Sequence, residues 1–285
     1  MSSASSAALE TLAYGYGLIE GPRVDSEDNL YFSDVPNGGV RRRTPSGDIS
    51  VVIPKRRGVG GIALHADGGL VVSGRNICHV VDGETRVLFE NDASGFNDLM
   101  TDAEGRVYCA TMRSDPFDDG GPRTPGETYR INLDGSVDEI YGDVSLTNGI
   151  GFSPDGSQMY HADTANNHVI CHDVEEVDGQ QRFVNRRGLA PNSKFFPDGL
   201  AVDEAGTIWV ADYPNRSVVG ISPDGSEVGR IEVPSTMVTS LCFGGSDLRD
   251  LYIVTANNTE DPDRLGTIFR TRVEVPGLAA PLARV

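Results

Sequence analysis

Four side chains with hard oxygen donors recur in one sequence context. Each opens a short predicted strand and stands directly before a small residue or an aspartate. Two carboxylates and two amide carbonyls that converge on one point suit a hard cation such as Ca²⁺ or Mg²⁺. No equivalent position carries Cys or His, which argues against a tight structural Zn²⁺ site. The alternative is that each residue only bonds channel water or holds a turn. The six equivalent positions are Glu20, Gly60, Asn97, Asn148, Asp198 and Thr239.

These residues can meet only in a ring-shaped fold, and the sequence repeat predicts one. Six times, an acid-rich turn precedes a short strand with an aromatic or β-branched centre. The repeat length is about 40 to 50 residues, which is typical of radial β architectures. Further alternating segments give the repeats four strands each, so we predict an all-β, six-bladed β-propeller of four-stranded antiparallel blades. The strand centres are Tyr31, Val71, Tyr108, Tyr160, Trp209 and Tyr252.

The propeller fold predicts where the oxygen donors lie. The first strand of every blade lines the central channel, and all first strands run in one direction. The donors that open these strands are therefore predicted to surround one mouth of the channel. Second strands end at the same mouth, and three of them end in an aspartate that we expect to cap loop backbone. These residues are Asp34, Asp163 and Asp212.

The two ends of the repeat array complement each other. The sixth repeat has three clear strands and lacks an outer one, whereas residues 10–14 form a strand-like segment without a partner of its own. We predict that this N-terminal strand pairs with the sixth blade, closes the ring and covers an exposed edge. Residues 1–8 are predicted to form a disordered tail, and residues 9–285 a single propeller domain.

Composition narrows the classes of partner. The net charge of −18 disfavours nucleic acid and anionic membranes, and no apolar run approaches the about 20 residues of a membrane-spanning helix. The N-terminus lacks the features of a secretory signal, and no Cys-x-x-Cys pair occurs among the four cysteines. We therefore expect a cytoplasmic protein with reduced thiols, or one disulfide at most, that acts on a small-molecule substrate. A monomer and a homo-oligomer are both compatible with this composition.

The oxygen donors stand within four short motifs: Glu20-Gly21-Pro22, Phe96-Asn97-Asp98, Thr147-Asn148-Gly149 and Phe196-Pro197-Asp198-Gly199. In this order and spacing, the motifs resemble the SMP-30/gluconolactonase/LRE family, from about residue 15 to about residue 258. Members of that family are six-bladed propellers with one catalytic divalent metal, and most are lactonases. By this resemblance, Glu20, Asn148 and Asp198 match the metal ligands. Asn97 matches a residue that faces substrate and metal, and Asp198 also matches the proposed general base.

The resemblance implies metal-assisted hydrolysis of a small cyclic ester by a gluconolactonase-like lactonase. One divalent cation at the channel mouth would polarise the carbonyl, with Ca²⁺ favoured and Mg²⁺, Mn²⁺ or Zn²⁺ as alternatives. Asp198 would accept a proton from the attacking water, or attack the carbonyl itself as a nucleophile. Two other classes stay open: an aryl-ester or phosphotriester hydrolase that uses the same site, and a non-catalytic propeller that presents a binding face.

The chain departs from the family pattern where the substrate would bind. Family members that act on sugar lactones commonly carry Arg two residues before the Asn equivalent to Asn97, and this chain has Gly95 there. The missing guanidinium argues against a gluconolactone-type substrate. The loop over residues 111–127 is too long for a plain hairpin, so we interpret it as a lid over the mouth or as a neutral exposed loop. Its candidate substrate contacts are Arg113, Arg123 and Phe117.

Overall fold

The computed structural model describes residues 8–115 and 123–285, which form twenty-four β-strands and two one-turn 3₁₀ helices. The strands make six four-stranded sheets in which every pairing is antiparallel, and the sheets surround one axis. This arrangement confirms the predicted all-β, six-bladed propeller. The 3₁₀ helices span Thr164–Asn166 and Pro262–Arg264, and neither helix of the described residues could span a bilayer.

Strand β1 (Glu10–Tyr16) precedes the first blade, and blades 1 to 3 follow it in chain order. Blade 1 contains β2 (Ile19–Val24), β3 (Leu30–Asp34), β4 (Val40–Arg43) and β5 (Ile49–Ile53). Blade 2 contains β6 (Ile62–Leu64), β7 (Leu70–Val72), β8 (Ile77–Val81) and β9 (Glu84–Phe89). Blade 3 contains β10 (Gly95–Thr101), β11 (Val107–Met112), β12 (Gly126–Ile131) and β13 (Val137–Val144).

Blades 4 to 6 repeat the same order, with the channel strand first. Blade 4 contains β14 (Thr147–Phe152), β15 (Gln158–Asp163), β16 (His168–Val177) and β17 (Gln180–Leu189). Blade 5 contains β18 (Pro197–Val202), β19 (Ile208–Asp212), β20 (Ser217–Ile221) and β21 (Glu227–Glu232). Blade 6 contains β22 (Val238–Gly244), β23 (Asp250–Thr255) and β24 (Gly266–Arg272), and β1 completes it.

A recurrent turn between first and second strands explains the sequence repeat. In blade 3, Asp102 Oδ1 accepts the backbone N–H groups of Glu104, Gly105 and Arg106 at 3.0 to 3.1 Å. Its Oδ2 accepts the Tyr108 hydroxyl at 3.0 Å, from the second strand of the blade. The acid and the aromatic residue therefore form one unit, which satisfies the turn and anchors the strand. The same unit occurs as Asp25 with Tyr31 (3.1 Å) and Asp203 with Trp209 (2.9 Å).

Apolar side chains fill the space between neighbouring blades and set their spacing. Between blades 4 and 5, Tyr160, Phe195, Val202 and Val210 belong to one buried cluster. Full burial of one such side chain stabilises the fold by about 1.5–3 kcal/mol. The channel strands are held at a fixed distance because these clusters recur around the ring. All four cysteines are buried and free of disulfides, which confirms the prediction of reduced thiols.

The N-terminal strand closes the ring, as predicted. β1 pairs antiparallel with β24, and the opposed side chains of Glu10 and Arg270 form an ion pair at 2.6 Å. Leu9 and Leu12 pack against two hydrophobic clusters that contain residues of blade 6. Main-chain hydrogen bonds and apolar contacts together therefore join the first strand of the chain to the last.

Residues 276–285 cross the mouth at which the first strands end. Gly277 forms a β-bridge with Asp203 in blade 5, and Ala283 forms one with His65 in blade 2. A cavity of about 1020 Å³ lies between this segment and the ends of the channel strands. This crossing was not predicted, because the segment lacks the alternation that indicates a strand.

Deletion of residues 1–15 should destabilise the whole propeller. The deletion exposes the edge of β24 and removes the contacts of Leu9 and Leu12, so we expect a loss of about 3 kcal/mol or more in the free energy of unfolding. Chemical and thermal denaturation measure the change. The control variant Glu10→Gln removes only an exposed ion pair and should cost less than about 1 kcal/mol. A deletion protein with an unchanged unfolding midpoint would show that β1 does not close the ring.

Candidate metal centre

The four predicted donors lie where the channel strands are irregular. The pairing of β2, β10, β14 and β18 with their neighbours shifts register at the donor or directly beside it. A β-bulge frees a residue from the ladder and turns its side chain in a new direction. The same irregularity in four blades therefore brings four side chains out of the sheets and towards the channel mouth. These are Glu20, Asn97, Asn148 and Asp198.

A chain of hydrogen bonds joins the donors of blades 3, 4 and 5. Asn97 Nδ2 donates to Asn148 Oδ1 at 2.5 Å, and Asn148 Nδ2 donates to the Thr164 hydroxyl at 2.7 Å. Thr164 in turn donates to the Pro197 carbonyl at 2.6 Å, directly before Asp198. The structure thus brings these three predicted residues together and fixes the orientation of both amides.

The carboxylates of Glu20 and Asp198 are buried without a side-chain hydrogen-bond partner. Glu20 and Asp198 are only 8% and 9% exposed. In the described part of the chain, each accepts the backbone N–H of the following glycine and no side-chain hydrogen bond. Burial raises the pKa of Glu20 well above its usual range, and the charges of Asp198 and Asp98 raise it further. Burial likewise raises the pKa of Asp198, and Asp98 adds to the effect.

One arginine partly compensates this negative charge. Arg23 Nη2 lies 3.8 Å from Asp98 Oδ1, and both side chains are buried. Its guanidinium also donates to the Pro22 and Leu99 carbonyls, at 2.7 and 3.0 Å. The three carboxylates of the site outnumber this single cation, so the site would carry two uncompensated negative charges with all three ionised. A bound divalent cation would neutralise that excess.

The donor set therefore fits a hard divalent cation. Carboxylate and amide oxygens are the ligands that such ions prefer. Residues 8–115 and 123–285 contain no group of three His, Cys, Asp or Glu arranged for a metal. A metal here would thus depend on Asn oxygens as well as on Glu20 and Asp198.

At two of the six equivalent positions, Gly60 and Thr239, no side-chain oxygen is available to a metal, and the structure explains why. A Cβ on Gly60 would lie 2.1 Å from Asn97 Oδ1, so this glycine leaves the space that the asparagine side chain occupies. Thr239 carries a hydroxyl, but it donates to the Ile19 and Val254 carbonyls at 2.6 and 3.1 Å. The Thr239 hydroxyl therefore links blade 6 to blade 1 by a hydrogen bond.

The aspartates that end three second strands hold the loops in front of the donors. Asp163 accepts the backbone N–H groups of Ser145 and Leu146, both at 3.0 Å, shortly before Asn148. These bonds confirm the prediction that the aspartates cap loop backbone. The capped residues lie just before the channel strand that carries a predicted metal donor. The other two pairs are Asp212 with Phe196 (2.9 Å) and Asp34 with Gly17 (3.3 Å).

The loop residues proposed as substrate contacts do not join the four donors. Arg113 Nε donates to both carboxylate oxygens of Glu127 at 2.7 and 2.9 Å, and Nη1 donates to Asp92 at 3.1 Å. Arg123 donates to a backbone carbonyl of its own loop at 3.0 Å. Phe117 lies outside the described residues, as does the middle of the proposed lid. The substrate roles of these residues stay predictions.

Two charged residues of the site were missed from the sequence. Asp98 directly follows Asn97, and Arg23 lies three residues after Glu20. Both stand in or beside the motifs that identify the donors, so the signal was present. It was overlooked because Asp98 occupies the position that elsewhere carries a small residue.

The cavity of about 1020 Å³ lies away from this site. It is lined by the far ends of the channel strands, including Met100, Ile150, Leu200 and Cys242, and by none of the four donors. Its only buried cation, among the described lining residues, is Arg23, whose donors are already bound to carbonyls. The cavity and the four donors therefore lie at opposite ends of the channel strands.

Curated proteins similar to this chain include two named lactonases. The chain is 33% identical to pentonolactonase XacC of Haloferax volcanii, over 88% of this chain and 89% of the relative. It is 35% identical to a 6-deoxy-6-sulfogluconolactonase of Pseudomonas putida, over 90% of this chain and 91% of the relative.

Solved structures share the whole propeller. A luciferin-regenerating enzyme superposes with a TM-score of 0.86 at 25% identity, and covers 98% of this chain and 100% of its own. A calcium-binding protein, regucalcin, from Agrobacterium tumefaciens gives a TM-score of 0.83 at 23% identity, with 98% of both chains covered. Residues 18–257 match the sequence pattern of the SMP-30/Gluconolactonase/LRE-like region. The chain therefore belongs to the SMP-30/gluconolactonase/LRE-like family.

Proposed function

We propose that this protein is a metal-dependent lactonase that hydrolyses a sugar lactone at the donor mouth of the propeller. The observation that carries the proposal is the convergence on bulged channel strands of two amides and two buried carboxylates that lack side-chain hydrogen bonds. Membership of a lactonase-containing family supports the same reaction.

The names of the relatives favour a sugar lactone as substrate. The two relatives described above, at 33% and 35% identity, are named as lactonases of sugar-derived lactones. These names therefore favour a sugar lactone, although Gly95 led us to expect that a gluconolactone-type substrate is disfavoured. A Cβ at Gly95 would lie 3.0 Å from the Gly74 carbonyl, so a larger side chain would crowd the backbone there. Sugar hydroxyls must therefore be recognised by other residues around the mouth.

Glu20, Asn148 and Asp198 would hold the cation. When bound, the cation supplies Lewis-acid chemistry, which polarises the lactone carbonyl and stabilises the charge that develops on its oxygen. The all-oxygen donor set favours Ca²⁺, and a solved structure of the same fold is described as calcium-binding. Mg²⁺, Mn²⁺ and Zn²⁺ are the alternatives.

Asp198 acts as the general base in this proposal. It accepts a proton from water as the water oxygen bonds to the carbonyl carbon, and the ring C–O bond then breaks. The proton passes to the released alkoxide oxygen, and the product is a hydroxy acid. In the alternative route, Asp198 attacks the carbonyl carbon itself, the ring C–O bond breaks to release the alkoxide, and water hydrolyses the resulting mixed anhydride. Asn97, which is held by its bond to Asn148, orients the substrate.

The variant Asp198→Asn should lower kcat/KM for lactone hydrolysis by about 100-fold or more, because it removes the proton acceptor and one cation ligand. The assay uses a pentonolactone, a hexonolactone, an aryl ester and a phosphotriester in saturating Ca²⁺. Asp203→Asn is the matched control at the other end of the same strand, where the carboxylate binds Trp209. It should retain activity. Wild-type protein that cleaves none of the lactones, or an Asp198→Asn variant as active as wild type, would refute the proposal.

Metal should stabilise the folded protein through the same residues. After treatment with a chelator, Ca²⁺ at about 100 times its Kd should add about 2.7 kcal/mol to the free energy of unfolding. Glu20→Gln and Asp198→Asn should lose this gain, whereas Asp203→Asn should keep it despite its own lower stability. Differential scanning calorimetry with each metal measures the effect. An equal gain in all variants would place the metal elsewhere.

The metal-free protein should lose stability as the pH rises. A carboxyl whose pKa is raised in the folded state binds more protons there than in the unfolded chain, so deprotonation costs folding free energy. The loss begins above the ordinary values of 3.8 for Asp198 and 4.5 for Glu20. Unfolding in chelator between about pH 5 and about pH 8 measures it. The decline should be smaller in Asp198→Asn, and an identical decline in both proteins would contradict the expectation.

A further inference from the structure

Tyr213 lies at the donor mouth and plays no part in the site described so far. It directly follows the last residue of β19, and its backbone N–H donates to the Phe196 carbonyl at 3.0 Å. The preceding residue, Asp212, accepts the Phe196 N–H at 2.9 Å. Two hydrogen bonds therefore fix Tyr213 against the loop that leads into Asp198.

The hydroxyl of Tyr213 is an uncommitted donor. The side chain is half-buried, and its hydroxyl has no hydrogen-bond partner among the residues that the structure describes. Burial and the neighbouring Asp198 charge raise the pKa of Tyr213, so the phenol keeps its proton at neutral pH. Other tyrosines bond their hydroxyls within the protein: Tyr31 to Asp25, Tyr108 to Asp102, Tyr141 to His161 and Tyr160 to Gln158.

Two arginines of the loops between blades 1 and 2 and in blade 3 are already engaged, namely Arg56 and Arg113. Arg113 is bound by two acids. Arg56, in the loop that leads into β6, donates to the Ser73 and Asn76 carbonyls at 3.0 and 2.6 Å. A half-desolvated donor without a partner gains most from a ligand that supplies an acceptor, so Tyr213 is better placed than either arginine to meet a ligand.

We propose that the Tyr213 hydroxyl binds a ring hydroxyl of the lactone and selects hydroxylated substrates, an inference that rests on the proposed lactonase function. A substrate group that binds Tyr213 must accept a hydrogen bond from the phenol while it lies close to the Asp198 carboxylate. A hydroxyl can accept from the phenol and donate to a carboxylate at once, whereas a carbonyl oxygen can only accept. Tyr213 is thus a substrate-binding residue that contacts the ring substituents, while Asp198 takes part in the reaction at the ester carbon.

The test compares Tyr213→Phe with wild type on two lactones that share one ring. D-Glucono-1,5-lactone carries ring hydroxyls and δ-valerolactone carries none. Because the phenylalanine keeps the ring and loses only the hydroxyl, kcat/KM should fall about tenfold on gluconolactone and less than about twofold on δ-valerolactone. The gain in thermal stability on adding Ca²⁺ should equal that of wild type. Tyr31→Phe is the control, because it removes a tyrosine hydroxyl that bonds Asp25 at the opposite mouth.

A second readout does not depend on turnover. D-Glucono-1,5-lactam resists hydrolysis, and isothermal titration in Ca²⁺ should show about tenfold weaker binding to Tyr213→Phe and unchanged binding to Tyr31→Phe. Equal losses on both lactones, no loss on gluconolactone, or unchanged lactam binding would overturn the role of Tyr213 and leave the lactonase proposal intact. Wild-type protein that binds the lactam through Tyr213 but hydrolyses no lactone would refute only the lactonase. Wild-type protein that neither binds the lactam nor hydrolyses lactones would refute both.

Discussion

The close approach of six channel strands around one axis is the constraint on which the site depends. A Cβ on Gly199 would lie 2.1 Å from Ser240 Oγ of the next blade, so neighbouring strands touch where the donors stand. Small residues at these points let the backbones meet, and bulges turn the residue before them towards the mouth. Residues from distant parts of the chain thereby come within hydrogen-bond distance, as Asn97 and Asn148 do.

The same geometry concentrates negative charge that the protein does not neutralise. Buried carboxylates without side-chain partners are costly, and Arg23 offsets only part of the repulsion. The fold tolerates these buried charges because the loops and strands that carry the donors are held firmly by the rest of the propeller. Aspartates such as Asp163 hold the loops before them, and apolar clusters hold the blades behind them. Stability lost at the mouth is thus supplied by the blade interfaces, as is common at functional sites.

The sequence predicted the parts that repeat. Six turn–strand units indicated six blades, and the unpaired segment at residues 10–14 indicated how the ring closes. The bulges were not predicted, because register depends on the partner strand and not on the residue itself. Asp98 was missed since it interrupts the pattern of small residues. The crossing of residues 276–285 was missed since a segment held by single bridges has no periodicity to detect.

Closure by β1 has a consequence for how the protein reaches its native state. The partner of β1 is β24, so the pairing with the largest sequence separation joins the first and last strands. A polypeptide emerging from the ribosome cannot form this contact until β24 has been synthesised. Blades that form earlier therefore belong to an incomplete ring, in which the edge of β1 has no partner strand. High contact order of this kind is typical of slow folding, and it makes the incomplete ring the stage most exposed to aggregation.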